Sequence, residues 1–379
     1  TTEWIMTNRD INYKEYPKLA KTFYPSEFDA DAWVKAIKAA GAKYITITTR
    51  HHDGFSLFKT ATSTYNSVDG TPFKRDIIKE MADACQRNGI KLHLYYSHLD
   101  WRREDYPVGR TGTGTGRPKE KADWTSYYKF MNTQLTELLT NYGKVGAIWF
   151  DGWWDHDSDA KPFDWQLEEQ YAMIHKLQPQ CLVANNHHHT PFPGEDIQIF
   201  ERDLPGENKA GLSGQSIGRL PLESCQTINE HWGYNITDTL YKSPKELIQM
   251  LVRAAGKNAN LLLNIGPEPG GALPALALDR LQAIGEWLNK YGETIYGTRG
   301  GIVTPHEWGV STQRGNKLYI HILNCMDSSL FIPTGNHKIK SATVFGTNKR
   351  INFTKTGNGI TLNFDTIPTD IDYIVELSL

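Results

Sequence analysis

The sequence contains no apolar run approaching the roughly 20 residues needed to cross a bilayer as a helix, so no spanning segment is expected within it. Cysteine is scarce, with four residues (Cys85, Cys181, Cys225, Cys325) scattered through the chain and no CxxC pair. That spacing excludes a zinc ribbon and a disulfide scaffold, and leaves small buried thiols as the expectation. An excess of one charge is also missing. The 41 basic and 43 acidic residues leave a formal charge of −2, so no electrostatic pull towards nucleic acid or an anionic membrane is expected. The GTGTG at Gly112–Gly116 lacks the Lys-Ser/Thr ending of a phosphate loop and reads as a flexible surface loop. The sequons at Asn235 and Asn352 are uninformative without a known compartment.

What is present is apolar and aromatic residue in quantity. Hydrophobic residues make up 39% of the chain, with 11 Trp and 18 Tyr. The length suits one large domain of about 250–300 residues and one small one. Short apolar, β-branched runs alternate with stretches of helical period. The strand expectations are Lys43–Thr49, Lys91–Ser97, Val145–Asp151, Cys181–Asn186, Asp196–Glu201, Glu223–Ile228 and Asn260–Gly266. Helices are expected over Asp31–Ala40, Arg75–Asn88, Trp124–Tyr142, Phe163–Leu177, Pro244–Ala255 and Leu276–Tyr296, with Thr1–Ser26 irregular.

Strand–helix alternation with near-continuous apolar strands implies a parallel sheet covered by helices, and the expected fold is a (β/α)8 barrel over residues 1–299. An open doubly wound sheet is the alternative. Seven strands are visible where a closed barrel needs eight, and the helix at Asp31 has no strand before it. An opening strand is therefore expected upstream of Thr1. From Gly300 the pattern changes to period two (KLYIHIL, SATVF, GITLNF, DYIVEL), which predicts a small antiparallel β-sandwich over residues 300–379.

Barrel chemistry sits at the carboxyl ends of strands. Those ends deliver His51-His52-Asp53, Tyr95-Tyr96, His98-Leu99-Asp100-Trp101, Asp151 among Trp149, Trp153 and Trp154, Asn185-Asn186-His187, Glu201, and Trp232 beyond Glu223. Two carboxylates at strand ends, with aromatic and imidazole groups around them, are what glycosidic hydrolysis needs. One carboxylate attacks the anomeric carbon and the other passes a proton to the leaving oxygen. Asp151, ending an apolar strand, is the nucleophile candidate. Glu201 is the acid/base candidate, with Glu195, Glu207 and Glu223 as competitors. Adjacent histidines on a strand end point in opposite directions, so only one of His51 and His52, and one of the His187–His189 run, is expected to reach a shared site easily. That argues against a metal centre, and neither metal nor cofactor is expected.

In these segments the sequence resembles the α-L-fucosidases of glycoside hydrolase family 29. The marks are Glu3-Trp4, FDADAW, KYITITTRHHDGF, TPFKRDII, LYYSHLDW, AIWFDG, ESCQTINEHWGYN, NLLLNIGP and EWLNKYGETIYGT, spanning about Glu3 to Gly300. The resemblance implies a retaining double displacement with Asp151 as nucleophile and Glu201 as acid/base. It implies contacts to a terminal α-L-fucose from Glu3, Trp4, His51, His52, Tyr95, Trp149 and Trp232. His187 stands where some members carry a sugar-binding Arg. The implied partner is a fucosylated oligosaccharide or glycoconjugate, met in a periplasmic or secreted setting. Retention carries a geometric expectation of about 5–5.5 Å between the two carboxyls, against about 6.5–9.5 Å for inversion.

Overall fold

The computed structural model describes residues 2–379. Seven parallel strands form the larger unit: β1 (Tyr44–Arg50), β2 (Lys91–Ser97), β3 (Ala147–Asp151), β4 (Leu182–Asn186), β5 (Gln198–Glu201), β6 (Leu222–Thr227) and β7 (Ala259–Asn264). Strands β1 to β4 form one ladder in sequence order and β5 to β7 another. A parallel bridge from Ala184 to Ile197 joins them. The result is the strand wall of a (β/α)8 barrel. Among the described residues β7 and β1 share no ladder, and their facing edges flank a cleft described below. The strand expected ahead of Thr1 lies outside the described residues.

The helices are α1 (Ile5–Asn8), α2 (Ala30–Ala39), α3 (Ile77–Asn88), α4 (Trp124–Asn141), α5 (Leu167–Leu177), α6 (Pro244–Gly256) and α7 (Ala275–Tyr291). Their starts are written locally. Asp29, Asp76 and Asp123 each accept a backbone N–H three residues on, and Ser243 and Glu246 close a capping box with Pro244 at the first turn. Such caps contribute about 1 kcal/mol each. The stretch expected to be irregular before α2 contains α1 and a 3-10 segment, Tyr16–Thr22. The crossovers from β4 to β5 and from β5 to β6 contain no helix, so residues 187–197 and 202–221 are loops at the rim.

Burial follows the expected layers. Val34, Ile78, Met81, Leu94, Leu135, Ile148 and Ile174 belong to one continuous core between sheet and helices. Beyond α7, β8 (Arg299–Gly300), β9 (Gly309–Arg314), β10 (Lys317–Ile322), β11 (Ser329–Ile332), β12 (Ser341–Val344), β13 (Asn352–Thr356), β14 (Gly359–Asn363) and β15 (Tyr373–Ser378) form two antiparallel sheets. One runs β12-β15-β10-β9-β8 and the other β11-β14-β13, with Leu318, Ile320, Leu362 and Leu377 buried in the core they share. Val310 and Tyr319 pack with Leu247, Val252 and Ile284 of α6 and α7, which seats the sandwich on the barrel. Cys85, Cys181 and Cys225 are buried thiols, and Cys325 is half-buried.

The Gly112–Gly116 segment is not a free loop. Its glycines take positive φ (66° at Gly112, 76° at Gly116), Thr115 is fully buried, and the Gly112 N–H donates to Thr7 of α1. A side chain at Gly112 would meet the Trp101 ring at 2.5 Å, so the glycines serve close approach rather than flexibility.

Candidate active site

Strand register sets the site. Ser97 lies opposite Asp151, and Asp151 opposite Asn186, so the last residues of β2, β3 and β4 stand level at the carboxyl end of the sheet. Gly152 follows at φ 96°, where any side chain is strained and a Cβ would press on Leu99 at 3.0 Å. This turn brings Trp154 back over its own strand end. Trp154 Nε1 donates to Asp151 Oδ1 at 3.1 Å, and the Tyr95 hydroxyl donates to Oδ2 at 2.8 Å.

Glu201, the last residue of β5, reaches the same space. Its Oε2 accepts from Asn186 Nδ2 at 2.7 Å and lies 2.8 Å from His188 Nε2. The same Asn186 nitrogen faces Asp151 Oδ1 at 3.5 Å. Distances of 3.5 and 2.7 Å from one nitrogen put Asp151 Oδ1 and Glu201 Oε2 no more than 6.2 Å apart. The competing carboxylates are elsewhere. Glu223 is held inside the barrel by Tyr44 and by Trp149 Nε1 at 2.8 Å, Glu195 is buried against His187 and Tyr171, and Glu207 pairs with Lys257 and Lys209.

The two acids differ in electrostatics. Burial, reinforced by the negative charge of Glu201, pushes Asp151 up to about 6. Burial would also raise Glu201, but the hydrogen bond and charge of His188, with the Asn186 amide, outweigh it and hold the carboxyl below its usual range. Tyr95 is driven well above the ordinary phenol value by burial and then by the Asp151 charge, so it remains a donor.

Histidines line the other wall. Ser97 Oγ gives its proton to the Leu99 carbonyl and therefore accepts from His52 Nδ1 at 2.6 Å. His52 Nε2 is left as a lone pair 3.5 Å from Asp151 Oδ2, without a hydrogen-bond partner. Burial, then the neighbouring His51, holds His52 well below the ordinary imidazole value, and burial takes His51 down to about 4. Both rings are neutral near pH 7. Glu3 accepts from the Thr2 hydroxyl and the Gly233 N–H; against the rise that burial would cause, these bonds and His51 keep its carboxylate below the usual range. Trp4 stacks on Trp154 with ring centres 5.5 Å apart.

A cleft of about 1240 Å³ opens here. Glu3, Trp4, His51, Tyr95, Trp149, Asp151, Glu201 and Trp232 all line it, and it continues down the seam between β1 and β7 past Ile47 and Leu261. His52 sits just behind its wall.

Two expectations about histidines need correcting. His51 and His52 both reach the site, with ring centres 4.1 Å apart, because β1 ends at Arg50 after a register shift and the pair lies in a turn where strand alternation no longer applies. His187 does not line the cleft. It is 2% exposed, its Nε2 lies 2.9 Å from Glu195, and its ring packs on Phe192. Asn186 and His188 face the acids instead. Alternation along β4 already implied this, since a residue level with Asp151 at position 186 sends 187 to the opposite side.

His51, His52 and Asp151 offer donor atoms within 4.8 Å of one another, a geometry that could take a cation. Glu230, His231 and Asp238 form a second such group in the loop after β6. There Asp238 already accepts both backbone N–H groups and the His231 ring, so it closes the loop.

Comparison with known proteins agrees with this geometry. The family model described as Alpha-L-fucosidase matches residues 1–293. The plasma α-L-fucosidase of Rattus norvegicus is 30% identical over 331 residues, covering 82% of this chain and 67% of that protein. The structure of α-L-fucosidase isoenzyme 1 from Paenibacillus thiaminolyticus superposes with a TM-score of 0.86 at 35% identity, over 100% of this chain and 93% of that one. A family 29 α-L-fucosidase from Bacteroides thetaiotaomicron, trapped as a covalent intermediate with 2-fluoro-fucosyl fluoride, superposes with a TM-score of 0.84 at 27% identity, over 99% and 87%. The chain spans 58% of the length of a Caenorhabditis elegans relative that is 30% identical over 302 residues. With two acids sharing the Asn186 amide at the mouth of a parallel barrel, and a family match across most of the sequence, this chain belongs to the α-L-fucosidases of glycoside hydrolase family 29.

Proposed function

We propose that the protein is an exo-acting α-L-fucosidase that hydrolyses terminal α-L-fucose from glycans with retention of configuration. The observation that carries this reading is the Asn186 amide shared between Asp151 and Glu201. Those two contacts keep one oxygen of each acid within 6.2 Å of the other, which supports the close pairing of about 5–5.5 Å in retaining enzymes over the roughly 6.5–9.5 Å of inverting ones, which must fit a water between acid and base.

In the first step an Asp151 oxygen bonds to the anomeric carbon as the glycosidic bond breaks, and the protonated form of Glu201, a minor one at pH 7 because the carboxyl is held below its usual range, gives its proton to the departing oxygen. In the second, Glu201 takes a proton from water, whose oxygen attacks the same carbon and frees Asp151. Tyr95 and Trp154 fix the attacking carboxylate, which at pH 7 is mostly ionised because its pKa is about 6. The His52 lone pair and the Glu3 carboxylate are acceptors for sugar hydroxyls, and Trp232 and Trp149 offer apolar faces to the ring and its methyl group. The Bacteroides relative, trapped as a covalent intermediate, supports the two-step order.

The decisive experiment is incubation with an aryl α-L-fucoside and a panel of fucosyl-oligosaccharides, with the first anomer of released fucose followed by NMR. The α-anomer is expected first. Release of β-fucose, or turnover of galactosides in preference, overturns the proposal.

A further inference from the structure

We propose that His188 is a positioning residue for the acid/base: with Asn186 it reserves one oxygen of Glu201 for the protein and leaves the other to exchange the proton with substrate. The inference rests on the reading of Glu201 as acid/base and adds a residue to that machinery.

The geometry is specific. Glu201 Oε2 takes both contacts, from His188 Nε2 at 2.8 Å and Asn186 Nδ2 at 2.7 Å, whereas Oε1 accepts no hydrogen bond from a side chain or backbone N–H among the described residues. A carboxyl clamped in this way can rotate little. Protonated on Oε1, it presents that proton to the leaving oxygen. Once the proton has gone, the negative charge gathers on Oε2, where two donors already wait. His188 thus makes Glu201 a stronger acid in the first step and keeps Oε1 aimed at water in the second.

The backbone pays to hold His188 there. Its φ is +67°, a left-handed conformation costly for a residue with a side chain and kept only where the surroundings enforce it. The enforcing contacts come from the neighbours. His187 lies 2.9 Å from the buried Glu195, which also accepts from Tyr171 and from the Phe192 N–H, and His187 Nδ1 accepts the His189 N–H at 3.0 Å. The charged and titratable groups around the Glu201–His188 pair are Asp151 on β3, Tyr95 on β2, Cys225 on β6, Arg202, His187 and His189, with Asp157 acting on His189.

The test compares wild type, His188→Leu and His188→Gln on aryl α-L-fucosides graded from dinitrophenol to poor leaving groups. Acid catalysis contributes about 10²–10⁴-fold where the leaving group needs it. His188→Leu is therefore expected to lose about 10²-fold in kcat/KM on poor leaving groups and less than about threefold on the dinitrophenyl fucoside. Its pH profile on poor leaving groups should shift to higher pH as Glu201 becomes a weaker acid. His188→Gln, which keeps a donor, should recover much of the loss. An equal loss on every substrate with an unmoved pH profile, or no loss at all, overturns the inference. Carboxyl ¹³C NMR titration of Glu201 in wild type and in either variant that folds decides it independently of turnover, a pKa unchanged by the substitution being the overturning result. Absence of fucose release by wild type would instead sink the fucosidase reading itself.

Discussion

Trp154 holds Asp151 from three residues further along the chain: its Nε1 donates to Oδ1 at 3.1 Å, so the proposed nucleophile and one of its donors belong to a single turn pivoting on Gly152. With Tyr95 on the other oxygen, the carboxylate is oriented before any sugar arrives. Glu3, which also lines the cleft, is held by Thr2 and Gly233 and does not stand in for it. Asp151→Ala is expected to lower kcat on an aryl fucoside on the order of 10⁴-fold or more with an unchanged circular dichroism spectrum. Residual turnover above a tenth of wild type would remove Asp151 from its role.

Glu201→Ala should separate the two steps. Small nucleophiles such as azide need no general base, so azide should restore turnover of an activated aryl fucoside and yield fucosyl azide. Product analysis by NMR checks this. Failure of azide to accelerate the variant, with free fucose as the sole product, argues for a different acid/base.

The elevated Asp151 pKa has a consequence for stability. A carboxyl that binds its proton more tightly folded than unfolded stabilises the fold at low pH, and that contribution is lost as pH rises through the folded value of about 6. The shift from the ordinary 3.8 corresponds to about 1–3 kcal/mol at neutral pH. Asp151→Asn should therefore melt above wild type at pH 7–8, and the gap should close by about pH 4. Equal melting temperatures across that range would contradict the burial argument.

Catalysis by the same group gives an acid limb. The attacking carboxylate must be ionised, so on a dinitrophenyl fucoside, whose leaving group needs no acid, kcat/KM should fall as pH drops below about 6, whereas a poor leaving group, which also needs Glu201 protonated, should lose rate as pH rises above it. Profiles on two aryl fucosides measure it.

Beneath the histidine wall, Arg50 and Asp100 form a fully buried pair at 2.7 Å, with Arg50 also donating to the Ser97 carbonyl and the Tyr127 hydroxyl. Removing one partner strands the other charge. Arg50→Met is expected to cost about 3–5 kcal/mol in urea unfolding. A loss under 1 kcal/mol would mean that the interior accommodates Asp100 alone.

The barrel was largely legible in the sequence because runs such as Ala147–Phe150 are apolar on both faces and α2, α3, α4 and α6 carry side-chain caps. Lys91–Ser97 matches its strand to the residue, and Trp124 starts its helix as expected. Less visible were elements whose order comes from contacts rather than pattern. Helix α1 has four residues and no side-chain cap, and it is held by Trp4 against Trp101 and Trp154. Strands β9, β11 and β13 are short or largely polar and exist through their ladders. At the site, Asp151 and Glu201 could be named from strand ends, whereas Asn186 and His188 needed the register that sets β3 beside β4. The metal argument against His51 and His52 assumed a strand where the chain had already turned.

The two bare crossovers, 187–197 and 202–221, flank Glu201 and contain no helix of their own, tied to the helical shell only through side chains such as Tyr171, His175 and Lys257. Their length can change by insertion or deletion without disturbing any ladder that aligns Ser97, Asp151 and Asn186. Grafting the second segment between relatives should thus change which aglycones fit beside Glu201, while the first, which carries His188, has to stay as it is.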